Sequence, residues 1–362
     1  MFLPVTGDES GDEGRQTGLR TGLRTGRRSR VLKTVGLALA GVLVLTVAAA
    51  GWAYWHLNNN IKSVDINSAL GDDRPAKGVT TPSASASASA SPLPTGAVNI
   101  LVLGSDSRSG KANKALGGGS SSGARSDTAM VVHIDAGRTS ATVVSIPRDT
   151  LVTRPSCPLS SGGSTSVAYN SMFNSAYSVG GPVCAVKTVE SITNVRMDHY
   201  IEIDFAGFAK LVNALGGVTV TTDEDIDDDD SHLHLKAGKH HLNGTQALAL
   251  ARTRHGIGDG SDLGRIGLQQ KLVKALLTQI STTNLLTNPA KLYEVADAVT
   301  DSLTTDTGLN SLSELMRLGQ SLKSLSASDL KTVMMPVVPA PSDSNRVVAK
   351  EPAASELWES LR

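Results

Sequence analysis

Three pairs of arginine and aspartate stand where short apolar runs end. Gly104-Ser105-Asp106-Ser107-Arg108 follows Val98 to Leu103, Arg125-Ser126-Asp127-Thr128 precedes Ala129 to Ile134, and Ile146-Pro147-Arg148-Asp149 closes Thr142 to Ile146. A planar guanidinium bonds two phosphate oxygens at once, and an aspartate beside it can hold a hard cation such as Mg²⁺. These residue types point to phosphate chemistry. Farther along, Arg252 and Arg254 stand two apart after the helix-forming stretch Gly244 to Ala251, and Gly256, Gly258 and Gly260 follow. If the chain is extended there, period-two geometry puts both arginines on one face. Asp262-Leu263-Gly264-Arg265 opens a second helical pattern through Ile266, Val273, Leu276, Leu277 and Ile280. Arg265 and Gln269 share one face of it, and Arg265 falls in the first turn, where backbone amides and the helix dipole also favour an anion. Taken singly, each arginine reads as a surface ion pair. The recurrence of Arg125, Arg148, Arg252, Arg254 and Arg265 beside strand and helix ends is what marks a site.

The elements that must position these charges follow from the apolar pattern. Each run is short, rich in Val and Ile and flanked by Gly, Pro or Ser, which predicts buried strands. Strand-like and helical runs alternate from Ala97 to Val338, and ~240 residues is a usual size for one α/β domain. Residues 339–362, rich in proline, acidic and small residues, read as a loosely held tail in which Glu356 to Leu361 form a short helix. Two segments read as insertions. Gly117 to Gly123 is almost entirely Gly and Ser. Asp223 to Asp230 carries seven acids in eight positions, but it lacks the glycine and terminal glutamate of a calcium loop and reads as a solvated acidic loop.

Val35 to Trp55 contains no Asp, Glu, Lys or Arg over 21 positions, enough for a helix to cross a hydrocarbon layer of ~30 Å. Seven basic residues precede it, and Trp52, Tyr54 and Trp55 gather at its far end like an interfacial belt. The expected topology is a single-pass anchor, with residues 1–34 as a basic cytoplasmic tail and everything after the span outside. The alternative, a cleaved signal peptide, has an apolar core of only ~7 to 15 residues. Residues 56–96, with the run Ser83 to Ser91 of alternating Ser and Ala, read as a tether unable to bury a core. A net charge of zero and a pI near 7.1 point to neither nucleic acid nor an acidic partner. Cys157 and Cys184, both beyond the span, can form one disulfide worth roughly 3 to 4 kcal/mol, or remain two buried thiols.

The order GSDSR, RSDT, SIPRDT, GGV, QALALARTR and DLGR followed by a Gln, behind one N-terminal span, resembles the LytR-CpsA-Psr proteins over roughly Asn99 to Ile280. Tyr200 to Phe208 with Leu215-Gly216-Gly217-Val218 resembles the family's segment leading into a central strand. The resemblance implies an α/β/α sandwich around a mixed central sheet, residues 97–338, on the outer side of the membrane. It also implies transfer of a glycopolymer from a polyprenyl-pyrophosphate carrier to a peptidoglycan hydroxyl as a phosphodiester, with release of polyprenyl phosphate. The cofactor implied is Mg²⁺, with Mn²⁺ as the substitute. By motif position, Asp106 and Asp127 would hold the metal. Arg125, Arg148, Arg252, Arg254 and Arg265 would bind the pyrophosphate, Gln269 would orient it, and Asp149 would tie down an arginine. Leu272, Leu276 and Leu277 would line a lipid tunnel, or else pack as ordinary core against the sheet. One departure stands out: many relatives carry Arg before the Gln pair, and this chain has Leu268, which removes a phosphate or acceptor contact. Two rival functions fit the same residues. One is a lipid-pyrophosphate hydrolase with water as nucleophile. The other is a non-catalytic glycan sensor, for which about 34 residues before the span offer too little chain for a folded output domain.

Overall fold

The three apolar runs that carry the charged motifs are neighbouring strands of one sheet. This computed structural model describes residues 25–77, 96–105, 126–254, 262–283 and 285–362; Asp106, Arg125 and the run Gly117 to Gly123 lie outside the described residues. β2 (Val98–Ser105), β3 (Ser126–Ile134) and β4 (Ala141–Ile146) each contain the expected run and pair antiparallel. The full sheet runs β1 (Lys62–Val64), β12 (Leu303–Asp306), β7 (His199–Asp204), β2, β3, β4, β13 (Leu330–Met334). Its β1–β12, β7–β2 and β4–β13 pairs are parallel, so the sheet is mixed.

Alternation along each strand sends side chains to two different layers. On one face Leu101, Leu103, Val131 and Val144 join a core with Val186 and Val189 of α3 (Ser175–Thr193). On the other, Ile100, Met130 and Val143 meet Val273 and Leu277 of α6 (Asp262–Thr282) and Leu318 of α8 (Leu312–Ser321). Helices thus cover both faces, as the α/β/α expectation requires. Beside α6 a smaller layer is built from α4 (Phe205–Ala214), α5 (Gly244–Arg252) and two ribbons. One ribbon pairs β8 (Val218–Thr222) with β11 (Gly238–Leu242), and the other β9 (Ile226–Asp228) with β10 (Leu233–Leu235). The Gly-Gly-Val segment therefore leads into a ribbon rather than a central strand. Gly217 makes that turn at φ 96, where a Cβ would stand 2.5 Å from His241 Nε2. Cys157 and Cys184 are bonded, with Cα atoms 5.1 Å apart and both fully buried. They join the loop between β5 (Leu151–Arg154) and β6 (Ala168–Met172) to α3.

The chain divides into two units, Met1–Trp52 and Ala53–Arg362. α1 (Thr25–Asn60) includes one stretch, Ala40–Asn60, long and apolar enough to cross a membrane at a mean hydropathy of 1.4. Trp52, Tyr54 and Trp55 are exposed on it.

Two expected boundaries are corrected. Residues 56–77 are not tether. Asn58 Oδ1 accepts from Leu312 N at 3.0 Å, Leu57 is buried, and His56 Nε2 lies 3.3 Å from Asp297 Oδ1 on α7 (Pro289–Ser302). β1 is an edge strand of the main sheet, and α2 (Ile66–Leu70) puts Ile66 and Leu70 into the main core. Arg74 donates to both oxygens of Glu190 and, at 2.6 Å, to Met197 O, with the two charged side chains 1% and 3% exposed. The Ser/Ala run consequently lies between Lys77, paired to Asp198 at 2.6 Å, and β2. It connects two parts of one unit instead of separating the domain from the span. Residues 339–362 are not a loose tail either. β14 (Val337–Ala340) and β15 (Asp343–Ala349) form a hairpin, and α9 (Ala353–Glu359) follows. Ala354, Trp358 and Leu361 are buried in the same core as α3. Both segments are short, so composition hides what their few apolar residues do.

A fragment of residues 53–362 should therefore unfold cooperatively, whereas residues 97–362 should be strongly destabilised because β1, α2 and the partner of buried Glu190 are gone. Arg74→Ala alone should cost about 3 to 5 kcal/mol, the usual result of leaving one member of a buried pair uncompensated. Denaturant melts followed by circular dichroism measure this, and equal midpoints for the two fragments would refute it.

Candidate functional site

A cavity of about 520 Å³ lies between the α6-facing side of the sheet and the layer of α4 and α5. Its character changes along its length. Gly104, Asp127 and Thr128 at the ends of β2 and β3 line one part, while Val102, Met130 and Ile201, farther into the sheet, line another. α6 repeats the same gradient. Arg265, Gln269, Leu272 and Leu276 follow the spacing of one helix face and all line the cavity, passing from charged to apolar over about 16 Å at 1.5 Å per residue. Phe208 and Leu248 add apolar wall from α4 and α5. The space suits a ligand with an anionic head and an apolar tail.

The dipeptide Asp127-Thr128 at the start of β3 gathers the polar end. Asp127 Oδ1 accepts from Arg148 Nη1 at 2.7 Å, and Asp127 O accepts from Arg265 Nη2 at 3.2 Å. Thr128 Oγ1 accepts from Gln269 Nε2 at 3.0 Å, and the same amide donates to Ala251 O at 3.0 Å. α6 is thereby stitched to both β3 and the end of α5. Arg148 does not itself line the cavity; it stands behind Asp127. Asp149 lies 3.5 Å from Arg148 Nε and 3.5 Å from Arg346 Nη1 on β15, so its carboxylate stands between the arginine behind Asp127 and one on the C-terminal hairpin.

α5 places the remaining two arginines. It begins with a capping box between Asn243 and Gln246, and it packs so tightly on α4 that a Cβ on Gly244 would come 2.0 Å from Ala209 O. The helix ends at Arg252. Thr253 turns the chain out at φ −54, ψ 132, and both Arg252 and Arg254 line the cavity, as the extended spacing predicted. The Arg252 guanidinium lies 4.9 Å from the centre of the Phe205 ring, a cation–π contact that fixes its direction.

The sequence-predicted residues thus divide. Asp127, Arg252, Arg254, Arg265, Gln269, Leu272 and Leu276 come together around the cavity, and Arg148 and Asp149 stand just behind. Leu277 faces the sheet core instead. Leu268, one residue before Gln269, is turned into the core beside α5, so it leaves no gap in the cavity wall. Asp106 and Arg125 lie outside the described residues. Sequence reasoning missed Phe205, Phe208, Asp204, Asp228, Asp230 and Ser231, all of which line the cavity. The first three belong to the strand–helix segment whose resemblance was noted. Asp228 carried no signal that set it apart from the six acids around it.

Among the described residues no group of three or more His, Cys, Asp or Glu side chains could hold a metal. Mg²⁺ is commonly held by one or two carboxylates together with substrate phosphates, and Asp127 in the cavity wall is a donor of that kind.

The family model described as the LytR_cpsA_psr family matches residues 53–362. Cell wall biosynthesis protein LcpA of Corynebacterium glutamicum is 31% identical over 324 residues, covering 83% of this chain and 59% of LcpA. The polyisoprenyl-teichoic acid–peptidoglycan teichoic acid transferase TagU of Bacillus cereus is 30% identical over 253 residues, covering 70% of this chain and 72% of TagU. The chain spans about half the length of the first curated relatives it matches. The crystal structure of Bacillus subtilis TagV superposes with a TM-score of 0.57 at 26% identity, over 74% of this chain and 96% of that one.

Because Gln269 satisfies a hydroxyl and a carbonyl on two other elements, Gln269→Leu should cost about 1 to 3 kcal/mol of stability as well as disturbing the cavity. Urea titration of the 53–362 fragment reads the first effect. An unchanged midpoint would mean that the amide is not part of the scaffold.

Proposed function

The chain belongs to the LytR-CpsA-Psr family, and from that premise we propose that it is a membrane-anchored phosphotransferase that moves a glycopolymer from a polyprenyl-pyrophosphate carrier onto peptidoglycan. The observation that carries this reading is the graded cavity: arginines at one end and leucines along α6 at the other match a pyrophosphate joined to a polyprenyl tail. Relatives named as teichoic acid transferases and a cell wall biosynthesis protein support the general class.

In this reading Arg252 and Arg254 hold the pyrophosphate oxygens, and Phe205 limits the directions Arg252 can take. Arg148 and Arg265 fix Asp127 from two sides. A sugar hydroxyl of peptidoglycan attacks the phosphorus on the glycan side and gives up its proton; the bridging P–O bond breaks, and polyprenyl phosphate leaves. Catalysis of this kind rests on alignment and on neutralising charge at oxygens of the transferring and leaving groups. Mg²⁺, or Mn²⁺ in its place, would be held by Asp127 together with Asp106 and would supply further neutralisation. The tail lies along Phe208, Leu272 and Leu276. The helix before the domain serves as a single-pass anchor, with the basic N-terminal side in the cytoplasm and the domain outside, which keeps the enzyme beside its lipid-borne donor.

Purified protein given a short-chain prenyl-pyrophosphate glycan should form a phosphodiester with peptidoglycan fragments, detected by ³¹P NMR. Release of free glycan phosphate alone, with acceptor present, would replace this reading with a hydrolase. Asp127→Asn should raise the Mg²⁺ concentration for half-maximal transfer by about tenfold or more, the scale on which even outer partners of a metal act. Identical metal dependence in the two proteins would remove Asp127 from the metal site.

A further inference from the structure

The acidic run Asp223 to Asp230 contains one residue unlike its neighbours. Asp223, Asp225 and Asp227 are exposed and pair at the surface with Lys271, Lys236 and His234. Asp228 is 1% exposed and lines the cavity. Its Oδ1 accepts from the backbone N–H of Asp230 at 3.0 Å and of Ser231 at 3.2 Å, and its Oδ2 accepts from the backbone N–H of Arg254 at 2.8 Å. A second clasp lies beside the first. Ser231 Oγ and Thr253 Oγ1 are 2.9 Å apart, Thr253 is fully buried, and its hydroxyl also donates to Ala249 O at 2.9 Å.

These bonds meet where α5 ends and the chain must turn out between Arg252 and Arg254. A chain leaving a helix has no intrahelical ladder to fix its direction, so the groups that accept its N–H donors decide where the next side chain starts. Here that group is a buried carboxylate at the end of β9, and a carboxylate accepts an N–H about twice as strongly as a neutral oxygen does.

We propose that Asp228 is a positioning residue of the phosphate site: by holding the Arg254 backbone, with the Ser231–Thr253 clasp in support, it aims Arg254 into the cavity. The proposal rests on the pyrophosphate reading of that cavity but concerns a residue no motif of the sequence marked. The β9–β10 turn is thus part of the site's frame, not a solvated insertion.

Asp228→Asn separates the two jobs of the side chain. An amide keeps one acceptor oxygen for the turn and must present its NH₂ to the other partner, so the Arg254 N–H loses its acceptor while the turn keeps its own. Two measurements on the full chain in detergent test this. Hydrogen exchange followed by mass spectrometry should show faster exchange at Arg254 in Asp228→Asn, with Asp230 and Ser231 unchanged. Calorimetric titration with farnesyl pyrophosphate and Mg²⁺ should show roughly 10- to 100-fold weaker binding for Asp228→Asn. In an Arg254→Ala background the same change should cost almost nothing, because the effect passes through Arg254. Thr253→Val should weaken binding in the same direction and provides the test if Asp228→Asn does not fold. Equal losses from Asp228→Asn with and without Arg254 would overturn the positioning role and leave a general structural one. Failure of the parent protein to bind the probe would instead overturn the pyrophosphate reading itself, and this assignment with it.

Discussion

Arg252, Arg254 and Arg265 line a largely apolar cavity together with Asp127, Asp204, Asp228 and Asp230, and charges held there cost more than they would in water. The rest of the site is arranged around that cost. Asp127 meets it most directly, with its carboxylate on Arg148 and its backbone carbonyl on Arg265. Phe205 offers its ring face to Arg252, and Asp228 takes the Arg254 backbone.

The fold explains why so short a peptide as Asp127-Thr128 can serve as the hub. Thr128 pairs with Gly104 of β2, Asp127 sits at the register shift beside it, and the pairing with β4 starts one residue later at Ala129, so the ladder anchors the dipeptide at its inner end and leaves Asp127 to bond outside the sheet. One sheet face is committed to α3 and the C-terminal helix, which leaves the other free to combine core packing against Val273 and Leu277 with cavity wall at Val102 and Ile201. The segments at the two ends of the domain carry more of this frame than their composition suggests. Arg74 reaches across to Glu190 under α3, and Arg346 on the last hairpin shares Asp149 with Arg148.

Much of this was legible in the sequence, for identifiable reasons. The runs beginning at Val98, Ala129 and Thr142 are apolar on both sides of the chain because both sheet faces are covered, and that continuity marked them as buried strands. Arg252 and Arg254 were readable because a helix end followed by glycines makes spacing of two significant. Leu272 and Leu277 could not be told apart, since cavity wall and sheet core use the same residue types and differ by little more than a third of a turn. Asp228 was hidden among six other acids; only burial distinguishes it, and burial depends on the β9–β10 pairing. Lys62 to Val64 and Trp358 were misjudged because three residues of edge strand or one buried indole leave no periodic trace.

The proposed function requires one cavity to receive both halves of a lipid pyrophosphate. A crystal structure with a short-chain prenyl pyrophosphate and Mg²⁺ would show whether it does. Phosphate oxygens should lie within hydrogen-bonding distance of Arg252 and Arg254, with the prenyl chain against Phe208, Leu272 and Leu276. Phosphates bound away from both arginines, or a prenyl chain lying outside a cavity that stays closed, would contradict it.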